Sequence, residues 1–143
     1  MERRGPNDAA ETAASDRLTW TLDPTRRLLT ITLRGGVTDQ DLLEKVPDIW
    51  RLNPEVCPCD TVVDARLLTS EGRWSWQALK TLSLQWNAFL GEKLSGEADR
   101  KTAILTKSQV IASMTKLLAV TFKGSRYRCF NAPEPALEWI GKE

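Results

Sequence analysis

The chain contains no histidine. That absence removes Ser-His-Asp and Cys-His nucleophiles, His-ligated zinc, iron or haem, and the imidazole pH switch from anything it does alone. It also lacks an excess of either charge, with 20 Lys and Arg against 19 Asp and Glu. A nucleic-acid binder carries a basic patch or stripe, and the pairs Arg3-Arg4 and Arg26-Arg27 are too small to make one. Nucleic acid is therefore not an expected partner. No apolar run approaches the ~20 residues that span a bilayer. The opening stretch, MERRGPNDAAETAASD, has basic residues but no apolar core, so it does not read as a secretory signal. The expected compartment is cytoplasmic, where cysteines stay reduced.

Cysteine is scarce too, with three in the chain, two of them in Cys57-Pro58-Cys59. A metal or redox set with Cys129 falls one ligand short of tetrahedral zinc. The other reading is small, semi-buried thiols near strand ends. No cofactor is expected. What the chain does have is 143 residues, enough for one domain burying roughly 68–70% of its unfolded surface, and six tryptophans.

Residues 1–16 are polar and aperiodic and read as a tail, with a single domain over 17–143. Leu18-Thr19-Trp20-Thr21-Leu22 alternates with the period of a half-buried strand. Asp23-Pro24-Thr25-Arg26 forms a turn, and Leu29, Ile31 and Leu33 alternate with Thr30, Thr32 and Arg34. The two runs form an antiparallel hairpin with one apolar and one threonine face. Thr38 and Asp41 make a capping box for a helix with the stripe Leu42, Val46, Ile49 and Trp50. Pro47 predicts a kink or break within it. Thr61-Val62-Val63-Asp64 is a short buried strand, followed by a loop over 67–73. A helix runs from about Ser75 to Leu90, with Trp76, Leu79, Leu82, Ser83, Trp86 and Leu90 on one face, and Trp74 and Leu84 off it. Residues 91–101 form a loop. Lys101–Thr106 is a strand, and the next helix has the core stripe Val110, Met114, Leu117, Leu118 and Thr121. Arg126–Phe130 is the last strand, and Glu134–Ile140 the last helix, with Pro133 or Pro135 in its first turn.

The order is ββαβαβαβα, an α/β domain with a mostly parallel sheet and right-handed crossovers. A sheet covered on both faces needs strands apolar on both. The threonines of the hairpin, with Arg126 and Arg128, instead place the helices mainly on one face.

Several segments resemble the SpoIIAA-like superfamily, which includes STAS (sulfate-transporter and anti-sigma-antagonist) domains, and most nearly its uncharacterised bacterial branch. They are Leu29-Thr30-Ile31-Thr32-Leu33-Arg34-Gly35-Gly36-Val37-Thr38, Thr61-Val62-Val63-Asp64-Ala65-Arg66, Lys101-Thr102-Ala103-Ile104-Leu105, and Arg128-Cys129-Phe130 with Glu134-Pro135-Ala136-Leu137-Glu138-Trp139-Ile140. The resemblance implies a single sheet on a β–α superhelical path, no enzyme activity, and action by binding other proteins. In the anti-sigma antagonists it implies a phosphorylated serine in an Asp-Ser pair opening the second helix. Here the matching stretch, Thr69–Ser75, has no such pair. Other relatives of the fold carry apolar molecules.

Five groups of candidate residues follow. Thr69, Ser70 and Ser75 sit where a strand feeds a helix, and Thr106-Lys107-Ser108 occupies the equivalent place on the next strand. Either could hold an anion or accept a phosphate, and Ser75 and Ser108 could simply cap their helices. Asp64 could pair with Arg66, and a lone acid is weak acid–base machinery. Trp74, with Leu84, is a candidate interface anchor or folds over its own loop. Trp76, Leu79, Trp86, Met114, Leu117 and Leu118 could wall an apolar pocket or fill a core. The expected function is a non-enzymatic protein-interaction or regulatory module that also pairs with itself. The alternative is a carrier or sensor of a small apolar, lipid-like molecule held between the helices.

Overall fold

Leu18, Trp20 and Leu22 point to one side of β1 (Leu18–Asp23), and Thr19 and Thr21 to the other. Strand β2 (Leu28–Gly35) returns antiparallel, pairing Trp20 with Ile31 and Leu22 with Leu29. The computed structural model describes residues 17–53, 55, 59–69, 75–94, 100–121 and 125–142. The expected N-terminal tail over 1–16 lies outside them. Gly35 closes β2 at φ 58°, a left-handed conformation open to glycine at little cost.

From β2 onward the chain alternates: α1 (Asp39–Leu52), β3 (Asp60–Leu68), α2 (Trp76–Leu94), β4 (Arg100–Leu105), α3 (Gln109–Thr121), β5 (Ser125–Phe130) and α4 (Pro133–Gly141). The strands lie in the order β1-β2-β3-β4-β5, with β2 to β5 parallel. Each new strand is added on the same side of the last. Right-handed crossovers that always step the same way leave every connecting helix on one face. So α1, α2 and α3 cover the inner face, which carries Leu29, Ile31, Leu33, Val63 and Ile104. Helix α4 follows the last strand, crosses no further, and packs on the outer face against Val62, Ala103 and Leu105. The hairpin threonines lie on the outer face (Thr21 exposed, Thr30 and Thr32 partly so).

Thr38 caps α1 as expected: its hydroxyl accepts from Asp41 N–H, and the Asp41 carboxylate accepts from Thr38 N–H. The expected break at Pro47 does not occur, because α1 runs through it and buries the ring with Val46, Ile49 and Trp50. Apolar burial there offsets the one backbone bond that proline cannot make. Strand β3 is longer than its apolar core suggested. An extra residue between Asp64 and Leu67 forms a bulge against β2, which keeps Ala65 and Leu68 facing inward while Leu67 is exposed. Helix α2 likewise continues past Gly91 to Leu94.

The phase of α3 corrects another expectation. Met114, Thr115 and Leu118 are buried, whereas Val110, Leu117 and Thr121 are exposed. The apolar residues of α3 wrap around most of the helix, so periodicity alone does not choose the buried side. Tyr127 of β5, packed against Met114 and Leu118, fixes it.

Candidate functional site

The helix N-termini gather at the carboxyl ends of the parallel strands. Ser75 Oγ accepts from Ala78 N–H at 3.0 Å, and Ser75 N–H donates to Asp39 of α1 at 2.9 Å. Ser108 Oγ accepts from Ile111 N–H at 3.3 Å, while its own N–H donates to Thr106 Oγ1 at 3.0 Å. Both serines are thus engaged as caps. Thr69 is exposed, with its N–H donated to Gly35 O at 3.0 Å. Ser70 and Trp74 lie outside the described residues. The strand order also argues against an anion cleft. Open α/β sheets bind ligands where the strand order reverses, and this order never reverses.

Asp64 and Arg66 meet on the outer face in a two-pronged pair, Nε to Oδ1 at 2.9 Å and a terminal guanidinium nitrogen to Oδ2 at 2.8 Å. The Arg66 hydrogen bond holds the Asp64 carboxyl below its usual pKa against partial desolvation, with Arg34 adding a smaller pull. An acid held this way is a poor proton donor at neutral pH. Cys59 is buried, its thiol directed at the Glu55 carbonyl 3.6 Å away, and Cys129 is a half-buried thiol. Desolvation raises the Cys129 pKa against a smaller opposing pull from Lys116. Cys57 lies outside the described residues.

The inner face holds an apolar cavity of about 100 Å³ between the sheet and α1, α2 and α3. Trp50, Leu79, Trp86 and Leu118 come from the helices, and Ile31 and Ile104 from the sheet. The Trp50 and Trp86 rings stand 4.8 Å apart, and Phe89 lies 5.8 Å from Trp86. These bulky rings support α1 and α2 over the sheet, while short side chains at Thr61, Thr102 and Ser83 leave the middle unfilled. Tyr127 O–H donates to Ser83 Oγ at 3.2 Å, satisfying two polar groups at the wall. Of the six expected wall residues, Leu79, Trp86 and Leu118 line the cavity. Trp76 and Met114 instead pack into a filled cluster with Leu79 and Leu118, and Leu117 points outward. Sequence reasoning missed Trp50 and Tyr127 as wall residues. The signal for Tyr127 was its place between Arg126 and Arg128, which forces it to the opposite face.

The outward side of α3 is the second feature. Val110 is 66% exposed, Leu117 52% and Val120 73%. At about 100° per residue these three fall within roughly 80° of one another. The small, exposed Ser113 lies between them on the same side. Leu84 of α2 is exposed as expected, away from the core.

No family model matches the chain, and no curated protein sequence does. Among solved structures, the fold matches a crystal structure of an uncharacterized protein from the DUF3478 family with a SpoIIAA-like fold, from Shewanella loihica PV-4. The match has a TM-score of 0.54 and covers 86% of this chain and 91% of that one. The chain has a SpoIIAA-like fold. At 17% identity the likeness is one of fold. The SpoIIAA-like sheet fits the resemblance read from the sequence, including the antiparallel β1–β2 pair and three helices on one face. No helix among the described residues is long and apolar enough to cross a membrane.

Proposed function

We propose that this protein is a non-enzymatic interaction module that binds a protein partner through the outward side of α3. The observation that carries the reading is the exposed stripe of Val110, Leu117 and Val120. Single exposed apolar residues are ordinary, but several aligned on one helix face mark a contact surface. The absence of histidine and the arginine-paired state of Asp64 support the non-enzymatic part. The test compares partner capture by the wild-type protein and by Leu117→Asp/Val120→Asp. A captured protein, purified and titrated against both forms, should bind the wild type at least about tenfold more tightly. Equal affinity for both forms would refute the assignment to α3.

The cavity favours a second reading, carriage or sensing of a small apolar molecule. Its volume of about 100 Å³ approaches the roughly 150 Å³ of an engineered apolar cavity that takes up benzene. Native mass spectrometry after gentle purification tests this reading. A retained apolar molecule that is lost from Leu79→Trp would support it, and an empty protein that benzene fails to stabilise would count against it.

A further inference from the structure

We propose that the protein forms a homodimer by antiparallel pairing of β1 with β1 of a second copy, on a two-fold axis through Trp20. The inference is independent of the α3 surface and goes beyond it.

The sheet has two ends, β1 and β5. Among the described residues no strand pairs with the outer side of either end strand, whose backbone N–H and C=O groups can pair with another strand. Strand β5 is guarded. Arg126 and Arg128 are exposed along it, and pairing β5 with itself about Tyr127 would set Arg126 directly opposite Arg128. Like charges in directly opposite positions are unfavourable.

Strand β1 has no such guard, and its sequence is self-complementary. Leu18-Thr19-Trp20-Thr21-Leu22 reads the same in both directions. With a two-fold axis at Trp20, Leu18 stands opposite Leu22 of the second copy, Thr19 opposite Thr21, and Trp20 opposite itself. Directly opposite residues share a face. The leucines and tryptophans therefore extend both inner faces, and the threonines extend both outer faces. One residue further out, the same register sets Arg17 opposite Asp23 at both ends, so the charges are complementary as well. Arg17 is exposed beside Asp41 of its own chain, 3.6 Å away, and Asp23 is half-exposed. A register shifted by one residue puts leucine against threonine and turns each strand to the wrong face. A shift of two loses an apolar pair and both charge pairs. A two-fold contact is satisfied twice by one sequence, and this strand meets that condition at every position from Arg17 to Asp23.

The dimer is a continuous ten-stranded sheet. Helix α3 packs on β5, at the far end of each sheet from β1. Dimerisation therefore leaves both α3 surfaces open, and the dimer can engage two partner sites at once.

Sedimentation velocity on the full chain tests the proposal. The wild type should reach a dimer as concentration rises. Arg17→Asp faces Asp23 with a like charge at both ends and should raise the dissociation constant about tenfold. Arg17→Asp combined with Asp23→Arg restores opposite charges and should return it near the wild-type value. Asp23 also accepts from Arg26 N–H in the hairpin turn, and Arg17 lies 3.6 Å from the Asp41 carboxylate of α1, so Thr19→Lys/Thr21→Lys provides a second disruption that leaves both contacts intact. Leu117→Asp/Val120→Asp should leave the dimer unchanged, which separates this proposal from the α3 reading. A monomer at the highest soluble concentration overturns the proposal. So does a dimer that none of the β1 variants weakens, or a double exchange that melts like the wild type yet dimerises as poorly as Arg17→Asp.

Discussion

The ammonium of Lys101 lies 2.8 Å from the carbonyl oxygen of Trp139 and 5.4 Å from the centre of its indole ring. Lys101 is only 5% exposed, near the start of β4 on the outer face. Its Nζ also donates to the carbonyls of Ile140 and Lys142. A helix leaves its last carbonyls without partners inside the helix, and a cation there meets both those oxygens and the negative end of the helix dipole. The buried charge is thereby satisfied, and the end of α4 is fastened to β4.

Removing that charge should loosen α4. Lys101→Met keeps the apolar stem and loses every bond the ammonium donates, and hydrogen bonds to charged groups contribute about 1.5–3 kcal/mol. Urea denaturation should show a loss of about that size, with faster amide exchange across residues 133–141. A variant as stable as the wild type would show that the contact contributes nothing.

Two neighbours on α3 should behave oppositely. Leu118 is 2% exposed and lines the cavity, so Leu118→Ala should cost about 2–5 kcal/mol. Leu117 faces solvent, and Leu117→Asp should stay within about 0.5 kcal/mol of wild type. Thermal melts of the two variants check the helix phase directly. Similar losses in both would place Leu117 in the core.

The Asp64–Arg66 pair sets a prediction on the acid side. The folded Asp64 pKa lies below the unfolded value near 3.8. Its stabilising contribution is therefore fully present above the unfolded pKa and is lost as pH falls through the folded one. Asp64→Asn should lower stability slightly at neutral pH and flatten the loss below about pH 4. The pair is partly exposed, so the effect is small. A steeper acid loss in the Asn variant would contradict the assigned direction.

Cys129 should resist alkylation at neutral pH. Burial raises its pKa more than Lys116 lowers it, and the thiolate is the reactive form. Site-resolved mass spectrometry should show iodoacetamide labelling slower than for a model thiol, rising only as pH climbs above the ordinary cysteine range near 8.5. Rapid labelling at pH 7 would reverse the assignment.

The linear sequence determined much of this protein by itself. Period-two alternation in residues 18–22 and 29–33 specified the hairpin and its two faces. Thr38 with Asp41 specified the start of α1, and Pro133 or Pro135 the first turn of α4. The ββαβαβαβα order, with threonines on one strand face, was enough to put the connecting helices on one side. These features are local, or follow from chain handedness, so short-range chemistry fixes them. The tertiary structure decided the rest. Pro47 stays inside a helix because the core around it offsets a lost hydrogen bond. Leu117 faces out and Leu118 in because Tyr127, on a neighbouring strand, selects one side of a helix with apolar residues around most of its circumference. Lys101 is buried because α4, about forty residues later in the chain, brings its terminal carbonyls to the ammonium. The cavity exists because Trp50 and Trp86 meet across two helices above short side chains on the sheet. Each depends on partners far apart in the chain, and no local pattern records which distant side chain will fill or leave a space.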